Sequence, residues 1–320
     1  MTWCEAKFQS FNDQLKLDAA RRSRIDGAIC NLRDYCAADE ELNAARDQPL
    51  FLQGSVAART VIKPYLNAEF DVDLIYPFDW SRFNRQMSAR EILDWFVARL
   101  QRSDFYRPRL IEKDRCLRID YAGDFHLDVT PGTRALQHHF PYAIPAREGN
   151  SWLASDPIGF VDWIRGIDAR SGGVDPDGAG RFVRCMRYMK RWRDASYSPE
   201  PGPSSILLTT MLGKHDPSLK NYYPALENSL FPQYETDAAY LYDMLRLTHS
   251  CIQLGRNSAF QHPTLPAEDL GRALSQADVD DFLERLQACI THLELAIYEQ
   301  ADGPSVERYR EAFGGTFPAA

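Results

Sequence analysis

Three aspartates stand out in this sequence, because their spacing and apolar neighbours are typical of strands that carry acids on one face. Asp71 and Asp73 lie two apart in the run EFDVDL (residues 69–74), and Asp128 lies in FHLDV (125–129). Since residues two apart on a strand point to one face, the first two carboxylates should project together. Converging carboxylates repel one another and favour hard divalent cations such as Mg²⁺ or Mn²⁺. Two such ions can hold the attacking and leaving oxygens of a phosphoryl transfer.

A second candidate is the dipeptide Gly54-Ser55, which follows the short apolar run at 49–52. If a strand ends at Gln53 and a helix begins at Ser55, the backbone N–H groups of this turn face a phosphate. Gly54 then allows close approach, the Ser55 hydroxyl holds a triphosphate oxygen, and Arg59 adds positive charge one turn later. Each feature alone is typical of an ordinary turn or a solvated strand. Their order along the chain favours a nucleotide site.

The elements that must position these residues predict an α+β fold with a mixed half and a helical half. The first half contains a long helix at 18–46, a helix at 88–102 with a capping box, and an irregular stretch at 131–152. Its strands are expected at 49–52, 69–76, 109–112, 116–121 and 125–130. Beyond residue 155 the pattern is almost entirely helical. We therefore expect one lobe at 1–155, with helix 18–46 bracing both lobes, and a helical lobe at 156–320 with a flexible tail at 314–320.

One predicted helix, at about 180–195, is strongly basic. Five of its basic side chains share one half of a helical wheel, and apolar side chains occupy the other half. The five are Arg181, Arg184, Arg187, Lys190 and Arg191, with Arg184 expected on the outer face. Two interpretations stay open: a solvated charged face, or a surface that binds a polyanion.

Length and composition narrow the class of protein. The 320 residues are 44% hydrophobic and carry a net charge of −8, which indicates a sizeable core and no overall positive field for nucleic acid. We expect no membrane span, because no run of 18 apolar residues occurs, and no secretory signal at the N-terminus. The seven scattered cysteines indicate reduced thiols in a cytoplasmic protein.

The order Gly-Ser, Asp-x-Asp and a third Asp on a later strand resembles the polymerase-β-like nucleotidyltransferase superfamily. Residues 53–60 (QGSVAART) and 69–73 look like the bacterial cGAS/DncV-like nucleotidyltransferases (CD-NTases), relatives of cyclic GMP-AMP synthase and oligoadenylate synthase. Residues 125–131 (FHLDVTP) resemble the third-acid strand of that family. The likeness continues at 189–194 (MKRWRD) and 203–207 (PSSIL), so it touches both halves.

The resemblance implies a polymerase-β-like lobe with a mixed sheet, a helical lobe similar to that of oligoadenylate synthase, and an active site in the cleft between them. It implies synthesis of a cyclic di- or trinucleotide from NTPs with release of pyrophosphate, in bacterial anti-phage (CBASS) defence. Three residues would be catalytic and hold two Mg²⁺ or Mn²⁺ ions: Asp71, Asp73 and Asp128. The donor NTP would be bound by Gly54, Ser55, Arg59, Lys190, Ser204 and Ser205.

Departures from the family pattern keep alternatives open. Fifteen residues separate Ser55 from Asp71, which is longer than the compact superfamily spacing. The zinc ribbon of the animal DNA sensor is absent, which together with the net charge argues against activation by double-stranded DNA. The alternatives are a nucleotidyltransferase that modifies tRNA or a small molecule, and a nucleotide-binding module without catalysis. His126 shares a face with Asp128 and suits either a place near the site or a structural role.

The C-terminal residue carries a further expectation from the resemblance. In some defence operons of this class, a partner similar to ubiquitin-conjugating (E1/E2-like) enzymes joins the synthase's C-terminus to another molecule. The sequence ends in GGTFPAA, so Ala320 is the expected conjugation point. The choice of NTP, the ring size and the linkage are not readable from the sequence.

Overall fold

The computed structural model describes residues 3–67, 69–134, 141–200, 202–218, 234–255 and 259–319. In these ranges the chain forms eleven α-helices and seven strands, and the expected α+β class is confirmed. Packing divides the chain into two compact units. The sheet unit comprises Leu17–Ala58 and Leu66–Val161. The helical unit comprises Met1–Lys16, Arg59–Tyr65 and Asp162–Ala320.

The sheet unit is built on one mixed sheet. Its strands are β1 (Phe51–Leu52), β2 (Phe70–Phe78), β3 (Leu110–Glu112), β4 (Leu117–Tyr121), β5 (Phe125–Thr133), β6 (Tyr142–Ala146) and β7 (Ser151–Ser155). The strand order is β1-β2-β5-β4-β3, and β6 pairs with both β5 and β7. β2 and β5 run parallel, and the other pairs are antiparallel. The expected mixed sheet is therefore confirmed.

The sheet unit also contains helices, and helices form the bulk of the helical unit. They are α1 (Trp3–Leu15), α2 (Ala19–Ala38), α3 (Glu40–Ala45), α4 (Gly54–Ala57), α5 (Ala89–Leu100), α6 (Pro157–Ser171), α7 (Arg181–Tyr197), α8 (Ser205–Lys214), α9 (Asp237–Gln253), α10 (Gln276–Tyr298) and α11 (Asp302–Phe313). The expected capping box at the start of α5 is present, with Ser88 and Glu91 each accepting from the other's backbone. Among the described helices, none has both the length and the apolar character that a bilayer crossing requires.

Alternating burial along β2 and β5 explains how the sheet positions the acids. Val72 and Leu74 are fully buried in β2, and their partners Leu127 and Val129 are fully buried in β5. Burying each of these side chains contributes about 1.5–3 kcal/mol to folding. Because the side-chain period of a strand is two, this buried face fixes the residues between them on the opposite face.

Two elements differ from the sequence-based expectation. The predicted helix 18–46 is broken at Asp39, because the Asp39 carboxylate accepts hydrogen bonds from the backbone N–H groups of Glu41 and Leu42 and starts a new helix. The stretch 131–152, expected to be irregular, continues β5 to Thr133 and contains β6 and the start of β7 in its described part. Pro145 within β6 disguised that strand, since proline weakens a strand prediction.

The division into units also differs from the predicted lobes at 1–155 and 156–320. Residues 1–16 and 59–65 belong to the helical unit. In α1, the buried Phe8 and Phe11 pack on Tyr188 of α7, with ring centroids 5.3 and 5.4 Å apart. This helix was not predicted from the sequence. Both helices of the 18–46 segment lie in the sheet unit, and their bracing of two lobes stays a prediction.

The segment after α11 is anchored by an aromatic side chain, which contradicts the expected flexible tail at 314–320. Phe317 is 1% exposed. Its ring lies 5.2 Å from that of Phe8, 5.1 Å from that of Phe11 and 5.3 Å from that of Tyr309. Gly314 has a φ of +77°, which turns the chain back so that this ring reaches the core. Ala320, the expected conjugation point, lies outside the described residues.

This packing makes Phe317 a test of the anchored segment. We expect Phe317→Ala to destabilise the helical unit by about 3 kcal/mol, because a buried ring is replaced by a cavity among other rings. Thr316→Ala, at the exposed neighbouring position, should change stability by only a few tenths of a kcal/mol. Thermal melts of both variants decide the matter, and equal melting temperatures would show that the segment is not anchored.

Candidate active site

The register of three strands brings the predicted acids to one face of the sheet. In the parallel pair β2–β5, Asp73 lies opposite Asp128, and Asp71 lies opposite His126. In the antiparallel pair β4–β5, Arg118 lies opposite Asp128, and Asp120 lies opposite His126. Paired residues on neighbouring strands point to the same side. We call this surface the acidic face; it comprises Glu69, Asp71, Asp73, Arg118, Asp120, His126 and Asp128.

Arg118 bridges the acids of two strands. Its Nε donates to Oδ1 of Asp128 at 2.7 Å, and its Nη2 donates to Oδ2 of Asp128 and to Oδ1 of Asp71, both at 2.8 Å. These hydrogen bonds raise the pKa of the guanidinium above its usual value. Sequence analysis missed this residue. The alternation LRID at 117–120 was a usable signal, but only the β4–β5 register reveals which acids it faces.

His126 links this bridge to a second group of acids. Its Nε2 lies 2.8 Å from Oε2 of Glu69, and its Nδ1 lies 3.2 Å from Nη1 of Arg118. Nδ1 of His126 thus lies between the guanidinium of Arg118 and the carboxylate of Asp71. His126 therefore lies near the acids, with its Nδ1 3.2 Å from Oδ1 of Asp71.

A possible ligand set borders the predicted one. In the described part of the chain, Glu69, Asp120 and His126 each offer a ligand atom within 4.8 Å of the others. Oδ1 of Asp120 is buried and has no hydrogen-bond partner among the described residues. The acidic face therefore carries two adjoining sets of oxygen-rich donors, with the predicted triad Asp71, Asp73 and Asp128 beside this one.

The turn after β1 is built against one of the acids. The backbone N–H of Gln53 donates to the carbonyl of Asp73 at 2.9 Å, and Gly54 follows with a φ of +62°. A Cβ on Gly54 would collide with the Asp73 carboxylate, so only glycine fits this contact. The predicted helix begins one residue early, at Gly54, and is a single turn; the half-buried Ser55 lies within it. The turn therefore holds Gly54 and Ser55 next to Asp73.

The donor chemistry of the acidic face suits a hard divalent cation. Asp71 is half exposed and Asp128 is 14% exposed, so these carboxylates are accessible yet fixed on strands. The nearby thiol of Cys116 is not a competing soft ligand. Burial, reinforced by the negative charge of Asp128, raises the pKa of Cys116 to about 12, which keeps the thiol protonated at neutral pH. Carboxylate oxygens of this kind fit Mg²⁺ or Mn²⁺.

The basic helix is buried, and the expected outer position of Arg184 is wrong. Arg184 is 2% exposed and its Nε donates to Oδ2 of Asp237 at 2.7 Å. Lys190 is 4% exposed, and its ammonium donates to Oγ1 of Thr60 at 3.0 Å. A helical wheel orders side chains around an axis, but it does not show that residues 59–65 cover the basic side.

Two arginines of this helix hold the covering segment by its backbone. Arg187 donates from Nε and Nη2 to the carbonyl of Arg59 at 3.0 and 2.8 Å, and Arg191 donates to the carbonyl of Lys63 at 2.8 Å. Such charge-assisted bonds offset the cost of burying the guanidinium groups. Neither the solvated face nor a free polyanion surface describes these side chains.

The remaining predicted donor-site residues have local partners in the helical unit. The Arg59 guanidinium donates to the carbonyls of Asp177 and Gly178. Ser204 is the N-cap of α8, and Oγ of Ser205 accepts from Arg193 at 2.8 Å. The acids, Gly54 and Ser55 belong to the sheet unit instead. A shared nucleotide site between lobes stays a prediction.

Gly54 and Gly123 provide a matched test of the contact with Asp73. Both have positive φ, at +62° and +80°, but a Cβ on Gly123 meets no atom within 4 Å. Gly123→Ala should cost about 1 kcal/mol for its backbone conformation alone. Gly54→Ala should cost clearly more and displace the Asp73 carboxylate. Thermal melts of the two variants measure the difference; equal losses would show that the contact with Asp73 is not restrictive.

The chain is similar to known proteins in sequence and in fold. The family model of the Second Messenger Oligonucleotide or Dinucleotide Synthetase domain matches residues 1–167. The c-di-GMP synthase of Roseivirga ehrenbergii is 29% identical over 227 residues, which span 66% of this chain and 60% of that relative, less than two thirds of its length.

Solved structures share the fold over nearly the whole chain. E. coli MS115-1 CdnC with ATP superposes with a TM-score of 0.71 at 15% identity, covering 98% of this chain and 99% of that chain. The Bradyrhizobium diazoefficiens CD-NTase CdnG in complex with GTP gives a TM-score of 0.73 at 18% identity, covering 98% and 95%. The expected likeness to bacterial CD-NTases is confirmed, and the chain belongs to the Second Messenger Oligonucleotide or Dinucleotide Synthetase family.

Proposed function

We propose that this chain is a metal-dependent nucleotidyltransferase that makes a cyclic di- or trinucleotide from NTPs and releases pyrophosphate. The observation that carries the proposal is the pairing of Asp73 with Asp128, with Asp71 on the same face and the Gly54 turn packed against Asp73. Family membership and the relative named c-di-GMP synthase support it. Neighbouring structures that hold ATP or GTP suggest NTPs as the substrate class.

Each predicted site residue of the sheet unit has a role in this proposal. Asp71, Asp73 and Asp128 hold Mg²⁺ or Mn²⁺ through carboxylate oxygens. Two bound ions would lower the pKa of the acceptor hydroxyl and stabilise charge on the transferred phosphoryl group. The bare backbone of Gly54 leaves room beside Asp73, and the Ser55 hydroxyl binds a triphosphate oxygen. Strands hold all three acids, so they keep their geometry better than acids on loops would.

The biological setting follows from the same proposal. A cyclic nucleotide made from NTPs suits a second messenger, and we place the enzyme in bacterial anti-phage (CBASS) defence in the cytoplasm, where NTPs are available. We propose no double-stranded DNA activator, because the chain carries a net charge of −8. Conjugation of Ala320 by an operon-encoded E1/E2-like partner stays a prediction.

Product analysis tests the function directly. The protein is incubated with all four NTPs and Mn²⁺, the mixture is treated with phosphatase, and the surviving nucleotides are identified by mass spectrometry. A cyclic oligonucleotide resists phosphatase because it has no terminal phosphate, so its appearance is the expected result. Transfer only to added tRNA or to a small acceptor would replace the proposal by another transferase. Absence of any NTP turnover would favour a binding module.

The acids are tested by single substitutions. We expect Asp71→Asn, Asp73→Asn and Asp128→Asn each to lower pyrophosphate release by at least about a hundredfold, because each removes a charged metal ligand at the transferring phosphate. Asp26→Asn, an exposed acid on α2 of the same unit, is the control and should keep full activity. Thermal melts establish that the variants are folded. Full activity in all three site variants would refute the metal assignment.

We also propose that Lys190 contacts the donor triphosphate. The likeness of residues 189–194 (MKRWRD) to the bacterial CD-NTases supports this contact, and the same ammonium group donates to Thr60. We expect Lys190→Ala to weaken NTP binding on the order of tenfold, because a charge-assisted contact is lost. Thr60→Val is the matched control: it removes the same buried hydrogen bond but keeps the positive charge. If both variants lose NTP affinity equally in a binding titration, the lysine is structural.

A further inference from the structure

The positively charged side chain of Arg118 binds two of the acids that the proposed reaction assigns to metal ions. Arg118 makes two parallel hydrogen bonds to Asp128 and a third to Asp71, at 2.7–2.8 Å. Both oxygens of Asp128 therefore accept from one guanidinium. The side chain is 18% exposed and sits on a strand that pairs directly with that of Asp128. This arrangement places a unit of positive charge where a divalent cation would need the same oxygens.

The contacts satisfy an electrostatic need of the metal-free acids. Asp71, Asp73 and Asp128 share one face of two paired strands, so their negative charges repel one another. The bidentate guanidinium is the side chain best suited to bind a carboxylate in this way. A second cation that approached the same oxygens would be repelled by the positive charge of the guanidinium.

We propose that Arg118 is an internal counter-cation of the metal site, which pairs with Asp128 and Asp71 in the metal-free protein and must release Asp128 when a divalent cation binds. This inference rests on the proposed function, because it takes these acids to be the metal ligands. Arg118 is a positioning residue: it keeps the acids at their places without metal and raises the metal concentration at which the site fills.

Arg24, also in the sheet unit, forms an exposed ion pair that does not involve the proposed metal ligands. Nε of Arg24 donates to Oδ2 of Asp124 at 2.6 Å, and the arginine side chain is 53% exposed. Asp124 precedes β5 and lies outside the acidic face. Arg24→Met therefore removes the same charge, and an arginine–aspartate bond, from the same unit without touching the proposed metal ligands. It is the matched control for Arg118→Met.

The test measures Mn²⁺ binding to the metal-stripped, full-length protein without nucleotide, by electron paramagnetic resonance of the free ion at fixed ionic strength. We expect Arg118→Met to bind Mn²⁺ on the order of tenfold more tightly than the wild type, because a competing charge is gone. Arg118→Lys keeps the charge but loses the bidentate geometry and should fall between them. Arg24→Met should match the wild type.

Thermal melts give a second readout: the melting temperature of Arg118→Met relative to the wild type without metal, and the rise that Mn²⁺ causes in each protein. Without metal, Arg118→Met should melt below the wild type, because Asp71 and Asp128 lose the guanidinium that offsets their mutual repulsion. Saturating Mn²⁺ should raise its melting temperature more than that of the wild type, since a ligand that binds more tightly stabilises more. A merely structural arginine would behave differently, because its loss would misplace the acids and weaken Mn²⁺ binding. Weaker or unchanged binding in Arg118→Met overturns the proposal.

A measurement on the wild type covers the case in which Arg118→Met does not fold. The Nε–H signal of Arg118, assigned from its loss in Arg118→Lys, is followed by NMR during titration with diamagnetic Mg²⁺. We expect it to shift and its hydrogen exchange to accelerate on saturation, because the bond to Asp128 breaks. An unchanged signal on the Mg²⁺-saturated protein overturns the proposal.

The outcomes separate this inference from the function on which it rests. If Asp73→Asn and Asp128→Asn abolish Mn²⁺ binding but Arg118→Met leaves it unchanged, the metal site stands and the counter-cation proposal fails. If the wild type binds no Mn²⁺ and the Asp→Asn variants keep full pyrophosphate release, the metal assignment itself fails, and the inference fails with it.

Discussion

Mutual repulsion among carboxylates is the constraint around which the sheet unit is organised. Nine consecutive residue pairs join β2 to β5, and this ladder sets Asp73 opposite Asp128. Like charges directly opposite one another on paired strands are destabilising. The buried side of the same two strands supplies the opposing term, because each buried Val or Leu contributes about 1.5–3 kcal/mol. The fold thus tolerates an unfavourable face on one side of a strand pair whose other side is favourable.

The sequence could predict those parts of the site that depend on the local alternation of polar and apolar residues. Asp71 and Asp73 alternate with buried apolar residues, so a strand with an acidic face follows from six residues of sequence. The role of Arg118 could not be predicted in the same way. Its position depends on which residue of β5 it opposes, and an antiparallel register between two strands is a non-local property. A one-residue shift would have turned it to the other face.

Contact with a segment distant in sequence also explains why the prediction of an exposed basic side on α7 was wrong. Its pattern of charged and apolar side chains is genuinely amphipathic, and an amphipathic helix usually leaves its polar side in water. Here the segment 59–65 lies over that side and offers backbone carbonyls as acceptors. The hydrogen bonds of Arg187 and Arg191 to these carbonyls offset part of the cost of burying the two guanidinium groups, so both residues hold the segment against α7 inside the helical unit. The helix break at Asp39, by contrast, could have been predicted from the sequence, because an aspartate followed by two glutamates is a typical helix start.

The contact between Gly54 and Asp73 has a consequence for how such chains can diverge. A larger residue at position 54 pushes against the carboxylate of Asp73, and that carboxylate must then leave its place, because the backbone that carries it is paired on both sides and cannot move back. The two positions therefore cannot drift independently during evolution. A lineage that stops using the acid is freed from the glycine, and a lineage that replaces the glycine has already compromised the acid. The turn and the strand are inherited as a pair.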